Sequence, residues 1–390
     1  MTPAVARAER LEPRAEVAHL APAFGIYVHI PYCISRCPYC DFNTYVGIED
    51  TAPEYVDALL REAAAWAERA RGREAGSIFV GGGTPSLLEP TLMRRMLDGL
   101  RGTFDVDPGA EITIEANPET VDVERLGGFR AAGVNRISFG AQSFRAHVLA
   151  TLGRAHTAER TQVAVAEARA AGIENLNLDL IYGTPGETLD DWRISLERAI
   201  ALEPEHLSAY ALTIEDGTQF GADVASGRMP SPDDDDMASK YELALALIAE
   251  AGYEHYEISN WAKPGRACRH NLVYWTQGEY AGLGAGAHGH LDAVRMWNEK
   301  APRTYIDRSP DARAGEETLD PHARDAEWLQ LRLRLVAGIG IEEVAQRTGH
   351  DLRPALDDLA TLGLVTDRAD RIEPSRRGLF MQSEIALRLT

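Results

Sequence analysis

The chain has 390 residues, room for about two or three domains of ordinary size, and 45% hydrophobic content is ample for a buried core. Forty Lys and Arg against sixty Asp and Glu leave a formal net charge of −20, which opposes docking onto nucleic acid or an anionic membrane surface. No apolar run approaches the roughly 18 residues of a membrane span, and the N-terminus lacks the charged-then-apolar layout of a secretory signal.

Residues 1–23 mix Arg7, Arg10 and Arg14 with Glu9, Glu12 and Glu16, unlike an acid-poor transit peptide, and read as a flexible tail. From 24 to 252 a strand, a loop and a helix alternate six times. The expected strands are Gly25–Ile30, Ser77–Val80, Glu111–Glu115, Arg136–Gly140, Asn175–Ile181 and His206–Leu212. Helical patterns between them include Glu54–Arg69, Thr91–Leu100, Thr157–Ala171, Leu189–Leu202 and Asp236–Ala251. That alternation predicts an α/β fold of parallel strands with crossover helices. Period-two alternation sets Tyr27 and His29 against Ile26, Val28 and Ile30, and Asn177 and Asp179 against Leu176, Leu178 and Leu180. One face therefore packs on helices, and the other lines a polar interior. A filled eight-stranded barrel would carry branched apolar residues there. Six units with a polar interior predict an open, partial (β/α)6 barrel, with its site at the C-terminal strand ends.

Residues 253–303, rich in aromatics, His and Gly, read as a separate segment, and 304–324 as a linker. From 325 to 390 two short helices, Glu342–Thr348 and Arg353–Leu362, precede a hairpin near Arg368–Arg371, a winged-helix-like pattern. From Pro321 to Thr390 ten Arg face eleven acids, so that module has no basic face and no nucleic-acid partner is expected.

Three of the four cysteines, Cys33, Cys37 and Cys40, fall within eight positions just after the first strand. In a chain with no secretory signal such a group points to metal rather than disulfides, and to a cytoplasmic protein. Three thiolates can hold three irons of a [4Fe–4S] cubane and leave the fourth open, since complete ligation takes four cysteines. A zinc knuckle would need a fourth close ligand. The Cys-x-x-x-Cys-x-x-Cys loop after the first barrel strand resembles the signature of the radical S-adenosylmethionine (radical SAM) superfamily. Within it, Tyr-Val-His-Ile-Pro-Tyr-Cys (27–33) is similar to the branch containing the oxygen-independent coproporphyrinogen III oxidases. The resemblance implies that S-adenosylmethionine chelates the open iron, and that Tyr27, Gly83, Thr84, Glu115, Gln142, Arg154 and Asp179 contact it.

Two features separate the subfamilies. Where the oxidases carry a fourth cysteine one residue beyond the triad, this chain has Phe42. The string Cys268-Arg-His270-Asn271-Leu-Val-Tyr274-Trp275 resembles the haem-associated motif of the HemW family of radical SAM haem chaperones. The resemblance implies haem binding, with His270 as candidate iron ligand, Tyr274 and Trp275 as flat faces, and transfer of haem to an acceptor protein. It also implies that the chain is not an active coproporphyrinogen III oxidase, and leaves a cluster-dependent dimer open. The enzyme reading, oxidative decarboxylation of coproporphyrinogen III, is the alternative. Cys268 reads either as a buried small hydrophobe or as a thiolate near haem or cluster.

Overall fold

The computed structural model describes residues 17–349, 351–368 and 370–389. Most of the tail, residues 1–16, lies outside them. Its end is not loose: Val17 is buried in a cluster with Tyr256, Ala262, Ala267, Leu272 and Leu335.

Six strands follow one another in chain order: β1 (Phe24–Ile30), β2 (Glu74–Gly82), β3 (Asp105–Ala116), β4 (Arg136–Gln142), β5 (Asn175–Tyr182) and β6 (His206–Ala211). Each pairs in parallel with the next. Crossover helices cover the outer face, where Ile26, Val28 and Ile30 are completely buried against them. The polar faces turn inward as the period-two pattern requires: Tyr27, His29, Glu115, Ser138, Asn177, Asp179, His206 and Ser208 all line interior space.

Six strands are not the whole sheet. The segment 253–303 supplies β7 (Glu254–Glu257) and β8 (Asn260–Ala262) at one edge, and β9 (Glu279–Leu283), β10 (His288–Leu291) and β11 (Val294–Asn298) at the other. β9 lies parallel beside β1, a seventh parallel strand that the sequence pattern did not predict. The stretch 304–324, expected as a linker, holds part of the helix Pro302–Arg308 and the strand β12 (Arg313–Thr318), which closes the order β12-β11-β10-β9-β1-β2-β3-β4-β5-β6-β8-β7. The sheet does not close on itself, so the barrel is open.

The C-terminal module has its own core around Trp328, Leu329, Val344, Leu359 and Ile385. Its sheet orders β13 (Ile339–Gly340), β15 (Arg371–Pro374) and β14 (Val365–Arg368), the last two forming the expected hairpin. It docks through Arg334, whose guanidinium stacks on Trp275 at 4.3 Å and pairs with the buried Glu257 at 3.1 Å.

Candidate functional site

The loop bearing the three cysteines leaves β1 at Pro31 and is pinned where it returns, by an isolated parallel bridge between Tyr32 and Tyr45. The Cys33 amide donates to the Tyr45 carbonyl at 2.9 Å, and the Tyr45 amide to the Pro31 carbonyl at 2.7 Å. Asn43 Nδ2 donates to the carbonyls of Ala285 and Lys300 at 3.0 and 2.9 Å, and Tyr45 Oη to that of Lys300 at 3.1 Å. All three thiols are half-buried, and burial pushes those of Cys33 and Cys40 up. Among the described residues no three His, Cys, Asp or Glu side chains converge on a single-ion site. A zinc knuckle demands that convergence, with every ligand about 2.0–2.3 Å from one ion. A cubane takes each thiolate on a different iron and so spaces them apart. Three half-buried thiols on one loop suit a cubane with one iron left open.

Beside the loop lies a cavity of about 440 Å3 at the C-terminal strand ends. All three cysteines line it, together with Gly83, Thr84, Glu115, Gln142, Arg154 and Asp179. Six of the seven expected S-adenosylmethionine contacts thus share one cavity. Arg154 Nη1 donates to Cys37 Sγ at 3.5 Å, while Nη2 donates to the Gly140 carbonyl at 3.2 Å and to Asn117 Oδ1. Its Nε is buried with no hydrogen-bond partner among the described residues, as befits a guanidinium awaiting an anion. Asn117, which the sequence reading missed, donates to Thr84 Oγ1 at 3.2 Å, and that hydroxyl lies 3.5 Å from Cys33 Sγ. Its position two residues beyond Glu115 was the available signal. Gln142 leaves β4 with φ +60°, a left-handed turn that is uncommon outside glycine and puts its amide in the cavity wall.

The glycine run has a different reason from ligand access alone. A Cβ on Gly82 would fall 2.5 Å from the His29 ring, and one on Gly83 2.5 Å from the Tyr32 carbonyl. The run lets the cysteine loop and the barrel interior approach β2 closely. Gly82 N also donates to Glu115 Oε2 at 2.9 Å. Burial, and then the charge of Asp179, push the Glu115 carboxyl up to about 7. Asp179 itself accepts from Ser138 Oγ at 2.7 Å and Asn177 Nδ2 at 2.8 Å.

Beneath this cavity, and sharing Phe42, Gly82, Glu115, Ser138, Asp179 and Tyr210 with it, is a second chamber of about 260 Å3. Tyr27 lies here rather than above, its hydroxyl 3.0 Å from His29 Nδ1. The chamber floor is the helix Arg269–Trp275, which carries His270, Asn271 and Tyr274. That helix sits at the N-terminal strand ends, opposite the cysteine loop. Glu111, midway along β3, accepts from the amides of Arg269 and His270, both at 3.2 Å, and from Cys268 Sγ at 3.5 Å. Cys268 is fully buried, its thiol pushed up to about 12 by burial, and it belongs to the floor rather than to the cysteine loop. His270 is also fully buried. Its Nδ1 bonds Ser77 Oγ and its Nε2 bonds Tyr274 Oη, each at 2.9 Å, and burial lowers the imidazole to about 3. Trp275 is engaged by Arg334. Phe42, by contrast, is 62% exposed at the cavity mouth.

Comparison with known proteins places this geometry. Residues 27–199 match the Radical SAM superfamily and residues 319–381 the HemN C-terminal domain. Curated relatives include the Heme chaperone HemW of Mycobacterium tuberculosis, 40% identical across 95% of this chain and 96% of its own. The Heme chaperone HemW of Escherichia coli is 40% identical across 94% of this chain and 98% of its own, and that of Bacillus subtilis 34% identical across 92% and 97%. Among solved structures, coproporphyrinogen III oxidase (HemN) from Escherichia coli, a radical SAM enzyme, aligns with TM-score 0.82 over 99% of this chain and 98% of its own. Its identity is 23%, a likeness of fold.

Proposed function

The chain belongs to the HemW family of radical SAM proteins, and from that footing we propose that it is a haem chaperone, binding haem and passing it to an acceptor protein. The near-full-length likeness to heme chaperones carries the reading. In it, Cys33, Cys37 and Cys40 hold three irons of a [4Fe–4S] cluster and leave the fourth to an exchangeable S-adenosylmethionine. When bound, the cluster supplies one-electron redox chemistry. Arg154 pairs with the methionine carboxylate, a match that suits a planar guanidinium. Asp179 and Glu115 accept from ribose hydroxyls, Gln142, Gly83 and Thr84 bound the ligand above, and Tyr27 bounds it from beneath. A cytoplasmic setting suits three clustered thiols, which need a reducing compartment, and no helix among the described residues is long and apolar enough to cross a membrane.

Haem enters this reading as cargo. The neutral His270 ring is in the protonation state that ligates iron. To do so through Nε2 it must release Tyr274, and the 260 Å3 chamber is below the roughly 300–1,000 Å3 of sites for drug-sized ligands, so porphyrin loading requires the floor helix to shift. The alternative, an oxygen-independent coproporphyrinogen III dehydrogenase, draws on the fold shared with HemN and is opposed by Phe42. The test is anaerobic reconstitution with S-adenosylmethionine, reductant and an electron acceptor, followed by haem titration and a search for protoporphyrinogen. Saturable haem binding without product is expected. Steady product with no saturable haem binding would overturn the chaperone reading in favour of the enzyme.

A further inference from the structure

Arg136 opens β4 and faces the lower chamber. It is 2% exposed, yet no hydrogen bond or ion pair joins its side chain to any described residue, and its Nε is a buried donor without a partner. A guanidinium taken out of water is costly unless something satisfies it. The charges of Glu111 and Asp179 act on the guanidinium, but the hydrogen bonds of the surrounding groups go elsewhere. His206 uses Nδ1 on Asn177 Oδ1 at 2.6 Å and Nε2 on Tyr256 Oη at 2.7 Å. Asp179 is taken by Ser138 and Asn177, and Glu111 by the floor helix. What remains is a planar cation with donors to spare, facing a chamber whose other wall is aromatic. Tyr27 stacks on Phe79 at 6.4 Å, and Phe79 on His270 at 5.3 Å.

We infer that this chamber binds a small monocarboxylate, its carboxylate paired with Arg136 and its apolar end against Phe79 and Tyr274. Fork-to-carboxylate pairing is what a guanidinium does best. At roughly 30 Å3 per water, about 260 Å3 is space for some nine waters, enough for a molecule the size of benzoate. A second negative charge is disfavoured by Asp179 and Glu115 in the wall shared with the upper cavity. The inference stands whether or not the chain carries haem.

The test titrates the reconstituted full-length protein with benzoate at constant ionic strength, read by saturation-transfer NMR and thermal shift. Benzyl alcohol serves as the neutral isostere. Saturable benzoate binding is expected, with benzyl alcohol at least tenfold weaker. Arg136→Met should lose benzoate affinity at least tenfold while still folding, because no side-chain hydrogen bond among the described residues goes with the guanidinium. Phe79→Trp, which fills the chamber and leaves the guanidinium alone, should weaken benzoate as well. Absence of saturable benzoate binding by the wild type would overturn the inference. So would unchanged affinity in either variant, or failure of Arg136→Met to fold, which would assign Arg136 to the scaffold.

Discussion

Glu111→Ala should unfasten the floor of the barrel while leaving the barrel standing. The carboxylate is 7% exposed and receives two amides of the helix Arg269–Trp275, each at 3.2 Å, plus a thiol at 3.5 Å. A hydrogen bond to a charged group contributes about 1.5–3 kcal/mol, and 3.2 Å is the long end of the normal range, so the two amides count for about 1.5 kcal/mol each. The thiol adds little. A loss near 3 kcal/mol, at 1.4 kcal/mol per decade, is roughly a hundredfold rise in local opening. Hydrogen exchange followed by mass spectrometry reads this directly, because peptides spanning 268–276 should exchange about a hundredfold faster. Peptides from the helix Ala52–Arg69, which shares no hydrogen bond or ion pair with Glu111 among the described residues, should keep their protection. Glu111→Gln, which keeps an acceptor and loses the charge, should give an intermediate effect of roughly tenfold. Unchanged protection of 268–276 in Glu111→Ala would refute the capping role. An equal loss in both regions would show a global destabilisation instead.

Cys33→Ser, Cys37→Ser and Cys40→Ser should each lose iron and sulfide after anaerobic reconstitution while Cys268→Ser retains both; full iron in Cys37→Ser would end that assignment. Arg154→Ala and Asp179→Ala should weaken S-adenosylmethionine binding about tenfold to a hundredfold with the cluster intact, and unchanged titrations in both would show that the ligand sits elsewhere. Because Glu115 is pushed up from 4.5 to about 7, its contribution to stability is whole below pH 4.5 and is lost as pH rises through about 7. Glu115→Gln should therefore flatten the fall in urea midpoint between those values, and an unaltered profile would count against it. His270→Ala should change the haem spectrum and weaken haem binding without abolishing it, since aromatic packing persists; a spectrum identical to wild type would remove His270 from the iron.

The six parallel strands were legible because each is apolar on its outer face and polar on its inner face, a pattern that β-strands cannot disguise. Of the cavity residues, Glu115 and Asp179 were legible for the same reason, while Gly83, Thr84, Gln142 and Arg154 came from the family resemblance rather than from alternation. Arg136 passes that same test, two residues before Ser138, and was overlooked because nothing in the sequence marks a cation as unpaired. The helix Val123–Ala132 escaped because Gly127 and Gly128 interrupt its pattern; a Cβ on Gly128 would lie 2.6 Å from Pro90, so the glycine serves helix contact rather than a turn. β9 escaped because it is short and Gly282 dilutes it, and a Cβ on Gly282 would lie 1.8 Å from the His288 carbonyl. β12 reads as a linker because it is an edge strand, exposed and charged, as edges commonly are. The role of the His270 motif was the least legible. Its spacing signals aromatic surface, but only its contact with Glu111, distant by 159 positions, turns it into a floor.

The fastening of the cysteine loop has a consequence for how the protein is made. Its anchors, the carbonyls of Ala285 and Lys300, lie 242 and 257 positions downstream of Asn43. A ribosome therefore releases the three thiols long before the residues that fix their loop exist, and β1 keeps an open edge until β9 emerges. Contacts so distant in sequence are late and slow to form. If the loop holds the proposed cluster, iron and sulfide would reach it only after translation, and a nascent chain stalled before residue 285 would expose cysteines without these two anchors.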